Sequence, residues 1–219
     1  MNIAIIGSGN VGAALARRLG GAGHQVKVTS RTRASARALA SEIGAQAVAT
    51  PVEAALDAEV IVLAVPWDAV EAIAAELYPV VAGKVVVDVT NPGRPDGSGP
   101  LFAGDGSGAE RIAAWLPGAR IVKAFNTIFG SNLAAGGARQ GVRLDALVAA
   151  DDAEAKLTVL KLAADLGFDP IDAGRLSNAG LLEAIAWLNI SLNISNGWPW
   201  QSGWKLVGAP VSRPEVAAA

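Results

Sequence analysis

The sequence predicts an α/β fold in which a doubly wound parallel sheet is followed by a small, mainly helical C-terminal domain. Three observations predict it. Short β-branched runs alternate with longer Ala- and Leu-rich stretches whose apolar residues recur at helical spacing, the pattern of strands joined by helical crossovers. A glycine-rich turn follows the first apolar run directly. Of 219 residues, 52% are hydrophobic and 17% charged, which supplies a sizeable core and excludes a largely disordered chain.

Strands are expected at Ile3–Ile6, Gln25–Thr29, Gln46–Ala49, Val60–Val65, Val85–Val89 and Ile121–Ala124, where short apolar runs are bounded by turn or helical residues. Between them, helical spacing marks Val11–Leu19, Ala34–Ile43, Ala69–Leu77 and Glu110–Trp115. From Asn91 to Gly108 the chain is rich in Gly, Pro, Ser and Asp and reads as a long surface loop of the kind that borders sites. A second glycine-rich break at Gly136, Gly137 and Gly141 precedes a strand at Leu144–Ala149, a helix at Ala153–Leu166, an extended piece at Phe168–Asp172 and a long helix at Leu176–Ile194. The domain boundary is placed near Gly141, giving units 1–141 and 142–219. Arg213–Ala219 is expected to fray, and no internal repeat is visible.

Eighteen Lys and Arg against 20 Asp and Glu give a formal charge of -2, so no global positive field exists to hold nucleic acid or an anionic membrane. There is no cysteine, which excludes disulfides and thiolate chemistry and leaves a cytoplasmic setting as the expectation. No signal peptide is read at Met1–Gly7, and the longest strongly apolar run, Val60–Val65, is far short of the ~20 residues that span a bilayer. A soluble protein is expected, with no metal site.

Gly7-Ser8-Gly9-Asn10-Val11-Gly12 matches G-x-G-x-x-G between a strand and a helix, the context that the motif requires. The first glycine permits the tight turn and the second lets a pyrophosphate approach the backbone. The third lets helix and strand pack closely, and the helix N-terminus offers unpaired N–H groups to the anion. This is the opening of a Rossmann-type sheet, so residues 1–141 are expected to bind a dinucleotide. An NAD site places a carboxylate at the end of the second strand. Here that stretch is Thr29-Ser30-Arg31-Thr32-Arg33, and a hydroxyl with guanidinium groups suits the 2′-phosphate of NADP instead.

The rest of the chain is poor in acid–base groups. The single histidine, His24, precedes the second strand, on the edge opposite the strand C-termini where ligands bind. The only tyrosine, Tyr78, belongs to no Tyr-x-x-x-Lys pair. Lys123 reads most simply as a strand-end residue. Such poverty suits hydride transfer between two stacked rings, a reaction in which the protein mainly aligns the partners. The second ring's pocket is expected at the strand ends: Val65-Pro66-Trp67, Asn91-Pro92 and Ala124-Phe125-Asn126-Thr127. Asn126 and Thr127 are the candidates for contact with the reacting rings, and Asn91, Asn126 and Thr127 for hydrogen bonds to carboxamide, ribose or partner ring. Trp198, Trp200 and Trp204 either wall a ring pocket or bury area at a dimer seam, with packing favoured. Trp187, Leu188 and Leu192 read as core by spacing.

The glycine turn, Ser30-Arg31, Ala64-Val65-Pro66-Trp67, Ala124-Phe125-Asn126-Thr127 and Asp172-Ala173-Gly174-Arg175-Leu176-Ser177-Asn178 together resemble the F420-dependent NADP oxidoreductase family over nearly the whole chain. The resemblance implies a homodimer whose N-terminal domain binds NADP and whose small C-terminal domain closes over the deazaflavin F420. It also implies direct hydride transfer between nicotinamide C4 and deazaflavin C5. The reductase domain of transmembrane metalloreductases looks similar too. Two departures fall at the second ring's place: archaeal members carry His where Asn126 stands, and the Trp-rich tail replaces a Met/Glu-bearing pattern. FMN, FAD or a small organic molecule therefore stay open as acceptor, as does a non-catalytic NADPH sensor.

Overall fold

The computed structural model of the chain describes residues 1–102 and 104–208, so the Arg213–Ala219 tail lies outside the described residues. The first half alternates as expected: β1 (Asn2–Ile6), α1 (Asn10–Gly21), β2 (Gln25–Thr29), α2 (Arg33–Ile43), β3 (Gln46–Ala47), α3 (Pro51–Ala55), β4 (Val60–Leu63), α4 (Val70–Leu77), β5 (Val85–Asp88), α5 (Gly108–Trp115) and β6 (Arg120–Ala124). Next come α6 (Gly130–Ala135), β7 (Ala138–Arg139), β8 (Val142–Arg143), β9 (Asp145–Ala150), α7 (Ala153–Asp165), β10 (Asp169–Asp172) and α8 (Ala179–Asn196).

Eight strands form one sheet in the order β10-β9-β6-β5-β4-β1-β2-β3. Both of its faces are covered, which is why the central strands read as unbroken apolar runs. In β1, Ile3 and Ile5 join Leu15 and Leu19 of α1 and Val159 and Leu162 of α7 on one face. Ala4 and Ile6 join Val70 and Leu77 of α4 and Ile112 of α5 on the other.

The second half begins with a hairpin and adds to the same sheet. Gly141 is the corner of a hairpin, where Gln140 and Gly141 both take positive φ between β7 and β8. The chain then rejoins the same sheet. β9 runs antiparallel to β6, with Val148 opposite Ala124, and β10 lies parallel to β9. Residues past Gly141 thus contribute two sheet strands as well as α7 and α8, and the sheet is mostly rather than wholly parallel.

Two helices were not anticipated. α3 is only five residues, but Thr50 Oγ1 accepts the Glu53 N–H at 3.1 Å while the Glu53 carboxylate accepts the Ala49 N–H at 2.8 Å, a reciprocal cap visible as Thr-x-x-Glu. In α6, Gly136 at φ +78 ends a one-and-a-half-turn helix. In α8, Leu188 and Leu192, expected in the core, are exposed; the buried face is Leu182, Glu183, Ala186, Asn189 and Asn193. That face is polar along half its length because it receives hydrogen bonds rather than only apolar contacts.

Candidate active site at the strand ends

β1 ends in the glycine turn. Gly7 sits at φ +113, and a Cβ there would lie 2.1 Å from the Ala64 carbonyl oxygen; at Gly12 it would lie 2.2 Å from the Gly7 carbonyl oxygen. Both glycines are required by the fold. Gly9 differs: its backbone is extended, at φ -71, and nothing lies within 4 Å of the place a side chain would occupy. It caps α1 without any side-chain hydrogen bond, so the first-turn amides and the positive end of the helix dipole face open space, a cradle that fits a pyrophosphate.

At the neighbouring strand end, Ser8 Oγ donates to Ser30 Oγ at 2.9 Å, which ties the turn to the end of β2. Arg31 and Arg33 are exposed at the start of α2, which has no acidic residue in its first turn. Among the described residues neither makes an ion pair. Cations beside a helix N-terminus are unfavourable alone and become favourable when an anion joins them, which fits the 2′-phosphate reading.

A cavity of about 820 Å³ opens at the C-terminal ends of β1, β5 and β6. It brings together Ser8, Gly9, Asn10 and Val11 with Asn91, Asn126 and Thr127. Gly7, Gly12 and Ala124 are buried beneath as its support. Ser30, Arg31, Arg33, Val65, Pro66, Trp67 and Pro92 do not line it. Trp67 stacks on Trp115 at 5.6 Å and meets Phe102 edge-on at 5.5 Å. Pro92 is buried, with its carbonyl accepting from the half-buried Trp187 Nε1 at 3.0 Å.

Asn91 and Asn126 hold each other: Asn91 Nδ2 donates to the Asn126 carbonyl at 2.7 Å, and Asn126 Nδ2 donates to Asn91 Oδ1 at 2.9 Å and to the Leu182 carbonyl at 3.0 Å. Phe125, between strand and Asn126, takes φ +61, a strained conformation for a bulky residue and one that no sequence signal announces. Gly130 was also missed. A Cβ there would lie 3.1 Å from the Asn10 carbonyl oxygen, so its bareness lets α6 close on the glycine turn.

A buried charged cluster that the sequence does not announce joins β5, β6 and α8. Lys123 is the strand-end residue expected, next to last in β6, and it is wholly buried, donating to Asp88 Oδ2 at 2.8 Å, Glu183 Oε1 at 2.8 Å and the Thr90 carbonyl at 2.7 Å. Glu183 also accepts the Gly108 N–H at 3.0 Å. One ammonium thus faces two carboxylates. Burial pushes the Glu183 carboxyl above the ordinary glutamate value, against the pull of Lys123. The sequence's only hint was a Lys within the apolar run Ile121-Val122-Lys123-Ala124 and an Asp closing Val85-Val86-Val87; that the two pair in register is seen only in the fold. His24, by contrast, lies at the opposite sheet edge with Nε2 3.4 Å from Asp165.

Sheet, glycine turn and cavity define a Rossmann-type dinucleotide-binding protein. The family model described as NADP oxidoreductase, coenzyme F420-dependent, matches residues 2–92. The F420-dependent NADP reductase of Methanothermobacter marburgensis is 37% identical over 212 residues, covering 90% of this chain and 94% of that protein. The chain belongs to the F420-dependent NADP reductase family. A candidate F420-dependent NADP reductase from Arthrobacter sp. FB24 superposes with a TM-score of 0.84 at 27% identity, over 94% of this chain and 99% of that one. Metalloreductase STEAP3 of Rattus norvegicus is 37% identical over 183 residues, 84% of this chain but 36% of that longer protein.

Proposed function

We propose that this protein is an NADPH-dependent oxidoreductase that passes a hydride between NADPH and F420 or a flavin-like acceptor. One observation carries the reading: a single cavity joins the phosphate-binding turn to an apolar, aromatic recess at the strand ends, and Arg17 is the only ionisable side chain among its described lining residues. A wall without a general acid or base suits a reaction that moves a hydride and leaves proton transfer to solvent. When bound, the nicotinamide supplies that hydride. The protein's part is placement: Gly7, Gly9 and Gly12 with the amides of α1 hold the pyrophosphate, Ser30, Arg31 and Arg33 the 2′-phosphate, and Asn126 and Thr127 meet the ring edges.

In this reading residues 1–141 hold the dinucleotide and the chain from 142 onward completes the acceptor side. The exposed apolar residues Leu181, Leu188 and Ile194 on α8 support a homodimer seam. The cysteine-free composition supports a cytoplasmic setting, and none of the described helices is long and apolar enough to cross a membrane.

The test is NADPH oxidation with F420, FMN, FAD and quinones compared side by side. NADPH-dependent bleaching of oxidised F420, or turnover of a flavin, is expected. Tight NADPH binding with no turnover of any acceptor would favour the sensor instead.

A further inference from the structure

We infer that Trp200 is a specificity-determining residue of the acceptor site, its indole forming with Phe129 the aromatic wall on which a planar fused-ring acceptor stacks. The inference rests on the proposed hydride transfer and names which feature of the acceptor this chain reads.

Trp200 is built for position at the cost of strain. Its backbone takes φ +56, a region costly for a bulky residue. Both its backbone polar groups are clamped there: the N–H donates to Asn193 Oδ1 at 3.1 Å and the carbonyl accepts from Ser131 Oγ at 2.5 Å. Two residues on, the Ser202 carbonyl accepts from Asn132 Nδ2 at 2.9 Å, and Ser202 Oγ bonds Asn189 Oδ1 and Asn193 Nδ2, each at 2.6 Å. Asn189 and Asn193 are the buried polar residues that interrupt the inner face of α8. Their office is therefore to hold this segment over the cavity.

The clamp presents an indole rather than hiding it. Trp200 remains 44% exposed while lining the cavity, and it meets the Phe129 ring edge-on at 5.3 Å and 72°. Nearby wall residues Val89, Ile128, Ala186 and Ile190 are apolar. A large exposed aromatic surface held at a cavity mouth by four side chains is what a flat ligand ring would cover, and stacking on it is tolerant of ring substituents but not of ring size. Smaller, single-ring acceptors reach the hydride without covering the indole.

The experiment compares Trp200→Ala and Trp200→Phe with Trp198→Ala, which removes an equally exposed indole that does not line the cavity. With the native protein as reference, Trp200→Ala should raise KM for F420 and FMN roughly ten- to hundred-fold. KM for NADPH and for a single-ring benzoquinone should stay within about two-fold, Trp200→Phe should recover most of the loss, and Trp198→Ala should behave as native. A parallel rise for fused-ring and single-ring acceptors, or no rise at all, overturns the assignment. Equilibrium titration provides a readout independent of turnover: oxidised F420 or FMN should quench native tryptophan fluorescence, and the Trp200→Phe protein should lose part of that quenching. Absence of quenching in the native protein, or identical quenching in the variant, overturns the inference. Absence of turnover with every acceptor in the native protein, with quenching intact, instead sinks the proposed reaction and leaves the ring site standing.

Discussion

Lys123 Nζ lies 2.8 Å from Glu183 Oε1 with both side chains sealed from solvent, so an ion pair ties the last helix to the middle of the sheet across 60 residues of sequence. Asp88, the cross-strand partner of Lys123, completes the cluster. Through Leu182, next to Glu183, the same helix orients the Asn126 amide. The cluster thus sets the geometry of the cavity floor without lining the cavity.

Removing the ammonium alone should be severe. Lys123→Met leaves two buried carboxylates facing each other, and losing one partner of a buried pair typically costs about 3–5 kcal/mol. The loss should appear as a lowered denaturation midpoint. Adding Glu183→Gln to Lys123→Met should recover part of it, because one fewer buried charge is then stranded.

Stability should also carry a pH signature. Burial holds the folded-state Glu183 carboxyl above its ordinary value of 4.5, so the folded protein binds that proton more tightly than the unfolded chain. The stabilisation from this group is complete below about 4.5 and is lost as pH rises through the folded value. The stability of native protein relative to Glu183→Gln should therefore fall on going from acid to neutral pH. A difference that stays flat contradicts the assignment.

The two glycines flanking Ser8 should fail in different ways. Gly7→Ala drives a methyl into the Ala64 carbonyl and demands positive φ, so the fold itself should be destabilised. Gly9→Ala meets open space at an ordinary φ and should melt as native does. It should nonetheless weaken NADPH binding about ten-fold or more, because the methyl occupies the approach of the pyrophosphate.

Arg31→Asp should separate the two nicotinamide cofactors. A charge-assisted hydrogen bond contributes about 1.5–3 kcal/mol, so NADPH affinity should fall roughly ten- to hundred-fold or more while NADH changes little. Equal native affinity for both dinucleotides, measured by titration, would refute the role given to Ser30, Arg31 and Arg33.

The fold class was legible because parallel strands covered on both faces must be apolar throughout, and the runs at Ile3–Ile6, Val60–Leu63 and Val85–Val87 leave no other economical reading. The glycine turn was legible because its chemistry is local: six consecutive residues make the whole device. The extension of the sheet past Gly141 was not. Whether Asp145–Ala150 pairs with β6 or stands apart depends on strand pairing between distant segments, and its apolar pattern is the same in both cases.

By itself, then, the sequence determined a Rossmann-type α/β sheet and the glycine turn at the end of its first strand, since the apolar runs and the turn are each written in contiguous residues. Tertiary structure alone decided that Lys123 is buried between Asp88 and Glu183, that Trp67 and Pro92 pack away from the cavity, and that Trp200 turns toward it. Those outcomes rest largely on contacts between segments distant in sequence, such as Lys123 with Glu183 and Ser131 with Trp200, and on whether a partner is there to compensate a buried charge or a strained backbone.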